Sequence, residues 1–380
     1  MAEREHALIR RVEVGMMDEG VQLVRCVPQA CVLQFPSGLI PQAAYSDAGP
    51  RLAMAWRADR LIRDLDRLLS DGHSTRMEEG AFDAVHAWGA GCWELAAELA
   101  EASGAALVVE ADTGTEIERA PRFEKSCASV LPEPGGCVWS CPAEPVRDAL
   151  ERAGCRWPAR VIPPGVFVPE AARPHRRPGS PASLCIVGGG PRDPAEAAPT
   201  VAILEGIAEL NRRREAMESA GAGTIPEVLA FLDEALVADQ PDVWRMVQRL
   251  RLSDCVSVVA ELEARREPVL RADILALPHG AAAHRSLLLD AMAAGIPSVC
   301  GADPFCPELD HLATAWVIEE PRSRLWTEAV ERLLIDTDLA NTLGDAARQF
   351  VATHRLASSQ ARAVLELHQH LAGGTTSLGA

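Results

Sequence analysis

Short apolar runs alternating with longer amphipathic stretches, in two successive series, limit what this chain can fold into more than any other feature. Apolar runs of roughly four to eight residues read as buried strands, and patterns with a period of about 3.6 residues read as helices. Their alternation is the signature of βαβ units and parallel sheets, so the expected class is α/β. In the first series the strands are Val21–Val27, closed by Pro28, then Phe82–Gly89, Ala106–Glu110, Cys137–Ser140 and Arg160–Ile162. The helices between them are His6–Glu19, Arg51–Leu69, Cys92–Ala102 and Pro145–Ala153. Between Pro163 and Ser183 the periodicity is lost and Pro, Arg and Ala dominate, as in a linker. The pattern then restarts with strands Ser183–Val187, Glu227–Leu232, Val256–Ala260, Ile274–Leu277 and Ser298–Cys300. Helices are expected over Val201–Arg214, Pro241–Leu250, Glu263–Ala272, Arg285–Ala294, Leu325–Leu334, Leu339–His354 and Ala361–Leu371.

The expected organisation is therefore a first domain over 1–165, a linker over 166–182 and a second domain over 183–355. A C-terminal helix over 356–372 returns to the first domain, and a Gly/Ser/Thr-rich tail over 373–380 is without order. Ligands of such sheets bind outside the carboxyl ends of the strands, so the natural site of two facing α/β domains is the cleft between them.

Charge and composition exclude several classes. With 54 Asp and Glu against 37 Lys and Arg the formal net charge is −17, unsuited to nucleic-acid or anionic-membrane binding. Lys125 is the only lysine, so a Schiff-base enzyme would have to use it, and any bound phosphate must be met by arginine or helix N-termini. The 11 cysteines are scattered, and no signal peptide or apolar run of about 18 residues occurs. Free thiols in a reducing cytoplasm are expected. The DxD Asp64-Leu-Asp66 falls inside a charged helix rather than at a strand end, and no metal site is expected.

Several segments, in order and spacing, resemble glycosyltransferase family 4. Val161-Ile-Pro-Pro-Gly-Val166 is similar to its "VIPNGV", Leu252-Ser-Asp-Cys-Val256 to "LSDRV" and Arg271–Pro278 to "AADVLVLP". Leu288–Pro297 is similar to "LLEAMAAGLP", and Pro307-Glu-Leu309 to "PEL". In the first half, Asp83–Ala87 resembles "DVVHAH" and Pro145–Ala149 resembles the "AVRDDL" helix. The resemblance spans residues 5 to 370. It implies a GT-B fold of two Rossmann-like domains facing across a cleft. It also implies retaining transfer of a sugar from a nucleotide diphosphate sugar to an acceptor hydroxyl, with the donor on the second domain and no cofactor beyond that co-substrate.

Carried over residue by residue, the resemblance also exposes departures. The family's donor site has two glutamates with seven residues between them. The second falls on Asp290, either a ribose acceptor or a helix-face carboxylate paired with an arginine; the first falls on Ala282, which offers no hydroxyl contact. His279 and His284 flank this donor loop as candidate ligand contacts. Gly188, Gly189 and Gly190 either cradle phosphate or make a tight turn. The family's diphosphate-binding arginine falls on Gly189, and no lysine is nearby; Arg192 and Arg285 either replace these charges in part or are solvent-exposed arginines. In the first domain Asp112 stands where the family has a histidine, as a sugar contact or a cap, and His86 is a cleft residue or a packed strand-end histidine. His368 and His370 read as surface residues. The family also opens with a strand ahead of its first helix; here either that strand is missing or the gene start lies upstream. The expected function is thus an impaired transferase, the alternative being a non-catalytic homologue that binds a nucleotide sugar or serves as partner of an active enzyme.

Overall fold

The computed structural model of the chain describes residues 6–29, 40–45, 60–65, 82–128, 136–173, 176, 180–188, 198–220, 225–260, 262, 266–320 and 322–373. The chain divides into two compact units, Met1–Pro164 with Ala357–Ala380, and Gly165–Leu356. In the first, α1 (His6–Asp18) precedes the parallel pair β1 (Arg25–Pro28) and β2 (Gln42–Tyr45). A separate four-stranded parallel sheet follows in the order β3 (Ala84–Ala87), β4 (Ala106–Glu110), β5 (Cys137–Cys141) and β6 (Ala159–Val161). Its crossovers are α2 (Trp93–Ser103), α3 (Gly114–Cys127) and α4 (Glu144–Ala153).

β4 and β5 are almost wholly apolar because both their faces are covered. On one side Val108 and Val138 pack with Val12 and Met16 of α1 and with Val364 and Leu367 of the last helix, α12 (Ala357–Ala372). α1 and α12 meet at small residues: a Cβ on Gly15 would lie 2.4 Å from that of Ala361. Trp93, Phe123, Trp139 and Trp157 stack edge to face or tilted in another cluster. Glu124 serves that cluster, accepting from Trp139 Nε1 at 2.7 Å and from the Arg156 and Trp157 amides.

The second unit contains a six-stranded sheet. Its strands are β7 (Ala182–Ile186), β8 (Val228–Asp233), β9 (Val256–Val259), β10 (Ile274–Leu277), β11 (Ser298–Gly301) and β12 (Trp316–Ile318). They lie in the order β12-β11-β10-β7-β8-β9, all parallel. Both faces are buried, and the side chains of β7 show the alternation. Leu184 and Ile186 pack against α5 (Ala198–Ser219), α7 (Pro241–Arg249) and α10 (Ser323–Ile335). Cys185 and Val187 pack against α8 (Glu267–Arg271), α9 (Arg285–Ala294) and α11 (Thr337–His354). The short helix α6 (Glu234–Asp239) follows β8.

Several boundaries differ from the sequence reading. The first strand is Arg25–Pro28 rather than Val21–Val27, and Pro28 is its last residue, paired with Tyr45 of β2. β2, β12, α3 and α6 are additional elements. Of the expected helix Glu263–Ala272, Glu267–Arg271 is helical and is preceded by Arg266 in the left-handed region at φ 54°, while 263–265 lie outside the described residues. Of the expected helix Arg51–Leu69, residues 60–65 are helical and the rest lie outside the described residues, as do Asp66 and the tail beyond Gly373.

Candidate functional site

The strand order of the second unit fixes where a ligand crevice belongs. β8 lies on one side of β7 and β10 on the other, so the winding reverses between β7 and β10. In open parallel sheets, the crevice at the carboxyl ends of two such strands is the ligand position. β7 ends at Ile186 and delivers Val187 and Gly188; β10 ends at Leu277 and delivers Pro278 and His279. The two ends touch: a Cβ on Gly188 would lie 3.1 Å from His279 Cδ2. The His279 Nε2 lies 3.1 Å from the hydroxyl of Thr200, in the first turn of α5. Burial, followed by the charge of His284, pushes the His279 pKa down to about 4, so this imidazole is neutral near pH 7.

The β10 loop is held from the next strand. Gly280 has φ +89° and Gly301 lies so close that a Cβ there would meet the Pro278 carbonyl oxygen at 2.7 Å. Asp303 accepts from the Ala281 amide at 3.0 Å and the Ala282 amide at 2.8 Å through Oδ2, and from Phe305 at 3.0 Å through Oδ1. Ala282 therefore contributes a backbone group already bonded to Asp303, and it opens the one-turn 3₁₀ helix Ala282–His284 ahead of α9. Sequence reading missed Asp303. Its signal was an Asp-Pro step after a strand, where an aspartate bonds the amide two residues on.

Of the other sequence candidates, His284 acts on His279 from within the domain, while Arg285 and Asp290 are paired elsewhere. The side chain of His284 is inside the domain, 2% exposed. Arg285 is 3% exposed: its guanidinium donates to the Phe305 carbonyl and lies 3.6 Å from Glu308. Glu308 is wholly buried, accepts from Arg355 Nε at 3.1 Å, and takes the Cys306 thiol at 3.2 Å. Burial alone would raise its pKa, but Arg285 and Arg355 outweigh that and lower it. The solvent-facing cation expected at Arg285 is thus an internal counter-ion, because the position sits under the loop against the "PEL" segment. Asp290 pairs with Arg266, whose guanidinium also reaches the Ser286 hydroxyl at 2.5 Å and the Ser286 carbonyl at 3.1 Å. Asp290 also lines an open cavity of about 650 Å³ with Phe167, Arg173, Leu270, Asp273 and Ala293. Asp273 directly precedes β10, so this cavity reaches the amino end of that strand. Gly189, Gly190 and Arg192 lie outside the described residues.

In the first unit His86 and Asp112 follow the same rule of strand ends. His86, on β3, sits 2.9 Å from Glu110 Oε1 through Nε2 and 3.1 Å from His368 Nε2 through Nδ1, and stacks on Trp88. Burial pushes His86 and His368 down to about 3 and Glu110 up to about 8. The close His86–Glu110 contact is therefore a hydrogen bond between neutral groups rather than an ion pair. In that neutral state the Glu110 hydroxyl donates to Nε2, and the His86 Nδ1–H donates to His368 Nε2. The expected surface position of His368 is corrected: α12 turns this residue onto β3. Asp112 precedes Thr113, the N-cap of α3. Its amide donates to Glu116 Oε2 at 2.8 Å, alongside the Thr113 amide at 3.0 Å, in a capping box.

Among the described residues no group of three or more His, Cys, Asp or Glu is placed to hold a metal ion, and no helix is long and apolar enough to cross a membrane. No protein-family model matches the chain, and no curated protein matches it. Solved structures do. A sucrose-phosphate synthase from Thermosynechococcus elongatus superposes with a TM-score of 0.65 at 14% identity, over 97% of this chain and 93% of that one. Anabaena Alr3699/HepE, in complex with UDP and glucose, gives 0.62 at 11% identity, over 91% and 99%. WaaG, a glycosyltransferase involved in lipopolysaccharide biosynthesis, gives 0.54 at 13% identity, over 97% and 96%. Two α/β units with parallel sheets, matched along nearly the whole chain by such proteins, show that this chain has the fold of the GT-B glycosyltransferases.

Proposed function

We propose that the protein binds a nucleotide diphosphate sugar on its second unit and is a glycosyltransferase-like protein whose transfer step, with retention, to an acceptor hydroxyl is impaired. The observation that carries the reading is the meeting of Gly188, Thr200 and His279 where the sheet winding reverses. Gly188 admits a close ligand approach there, and His279 and Thr200 supply neutral hydrogen-bonding groups suited to sugar or phosphate oxygens. Gly189, Gly190 and Arg192 follow Gly188 in the sequence and belong to the same proposal. The HepE complexes hold UDP and glucose or UDP-glucose, which favours a uridine nucleotide as first probe.

Impairment follows from the chemistry of the side chains. Transfer from a nucleotide diphosphate sugar needs charge stabilisation on the departing diphosphate. Ala282 supplies none, and the cations Arg285 and Arg266 are committed to Glu308 and Asp290. Removal of one electrostatic donor from such a site costs about 10²–10³ in rate. In this proposal Asp290 reaches a ribose only by sharing its carboxylate with Arg266. Asp112 and His86 are proposed only as supports of the first unit's strand ends. The ten free cysteines among the described residues favour a reducing compartment, the cytoplasm in this reading.

The same committed arginines favour the second reading, a non-catalytic homologue that acts as nucleotide-sugar-binding or partner subunit. Calorimetric titration with UDP, GDP, ADP and their common sugar conjugates, followed by a donor-hydrolysis assay, separates the two. Binding with slow turnover supports the impaired enzyme, and binding with none supports the homologue. Absence of binding by every nucleotide and conjugate tried removes the nucleotide-sugar reading.

A further inference from the structure

We propose that Asp303 is the positioning residue of this edge: its carboxylate clamps the β10 loop to the β11 loop and so holds the His279 ring against Gly188 and Thr200. The inference rests on reading that edge as the ligand-binding one. A single carboxylate accepts three backbone N–H groups, those of Ala281 and Ala282 from one loop and that of Phe305 from the other. The approach is possible only because Gly280 has no side chain, since a Cβ there would lie 2.7 Å from Asp303 Oδ2. Gly301 lets the same two loops touch backbone to backbone. His279 is the residue directly before Gly280, so the clamp fixes the backbone that aims its ring.

A carboxylate suits this task better than its neutral isostere. Both its oxygens accept, whereas asparagine would turn an NH₂ group toward one set of backbone donors. Asp303→Asn must therefore lose part of the clamp and Asp303→Ala all of it. The groups facing the ring, among the described residues, are the Thr200 hydroxyl from α5 and His284 from its own loop. Once the ring swings out, both the burial and the neighbouring charge that depress its pKa are relieved.

The test uses the full chain and two readouts on Asp303→Asn and Asp303→Ala. The first is the protonation state of His279 at about pH 5.5, read from its ring nitrogen NMR shifts and assigned by their loss in His279→Asn. An imidazole titrating near 4 is neutral there, and one returned toward about 6.5 is protonated. The second is affinity for UDP by calorimetry. We expect His279 neutral in wild type, protonated in Asp303→Ala and intermediate in Asp303→Asn, with UDP bound at least about tenfold more weakly by Asp303→Ala. A ring that stays neutral in a folded variant overturns the inference, whatever UDP does. If Asp303→Ala does not fold, the near-isosteric Asp303→Asn decides the same question. Failure of wild type to bind UDP counts against the proposed donor and leaves the ring measurement to judge Asp303.

Discussion

Replacing Gly344 by alanine probes the packing that fixes α9. Gly344 lies on α11 where it crosses the end of α9, and a Cβ added there would sit 2.2 Å from the Gly295 carbonyl oxygen and 2.9 Å from its carbonyl carbon. A carbon in close but tolerable contact with a carbonyl oxygen stands about 3.3 Å away, so the helices must part by roughly 1 Å. Neither atom can yield alone. Gly295 is the left-handed C-cap of α9, at φ 76°, and its N–H is bonded to the Met292 carbonyl at 3.0 Å. Overpacking of this kind costs about 1–3 kcal/mol, and a clash with backbone belongs at the upper end, about 3 kcal/mol. For a unit of this size that lowers the melting temperature by roughly 6–12 °C. Differential scanning calorimetry of Gly344→Ala supplies the number, and amide exchange over 285–294 assigns the loss to α9. Gly91→Ala, where an added Cβ meets nothing within 4 Å, serves as the control. A melting temperature for Gly344→Ala within about 2 °C of wild type would refute the reasoning.

Three further predictions follow from buried charges. Glu308→Gln leaves Arg285 and Arg355 with a neutral partner and should destabilise the second unit by about 3–5 kcal/mol, measured by urea unfolding. In wild type, the lowered pKa of Glu308 contributes stability that is present above the ordinary carboxylate range and is lost as pH falls through the lowered value. For His86 and His368, depressed to about 3, the unfolded chain binds protons that the folded one refuses, so stability falls as pH drops from 6.5 toward 3. Glu110 acts oppositely: raised to about 8, it contributes stability that fades as pH rises from 4.5 to 8. With two imidazoles set against one carboxyl, melting of the first unit should therefore be highest near pH 6.5, and His368→Phe should flatten the acid limb; an unchanged limb would discard the buried His86–His368 pairing. Glu116 accepts three backbone amides, those of Ala90, Asp112 and Thr113, while 3% exposed, so Glu116→Ala should cost about 2–3 kcal/mol by thermal unfolding.

The parts of the fold legible in the sequence were those whose cause is local. β4, β5, β7 and β10 are covered on both faces and therefore read as unbroken apolar runs. β2, Gln-Ala-Ala-Tyr, carries too little apolar surface to stand out. α3 shows its capping box as Thr113 and Glu116, but its charge and the internal Pro121 hide its period. The candidate edge was half legible: Gly188 and His279 follow directly from strands that could be read. Their companions come from elsewhere in the chain, Thr200 from 79 residues before His279 and Asp303 from 22 residues after Ala281. The same distance explains why Arg285 and His368 were misread as exposed. His86 and His368 lie 282 residues apart, and no periodicity records such a pairing.

The division of the chain has a consequence for how it is made. Residues 165–356 emerge from the ribosome as one uninterrupted stretch and can complete their unit as they appear. The first unit cannot, because α12 supplies Val364 and Leu367 to its core and His368 to β3. At about 5–20 residues per second, the apolar face of α1, complete at Asp18, waits roughly 20–70 s for that helix to begin at Ala357. During synthesis the domain begun first is thus finished last, and a stop just before Ala357 would spare the second unit while leaving the first with an open flank that quality-control proteases can recognise.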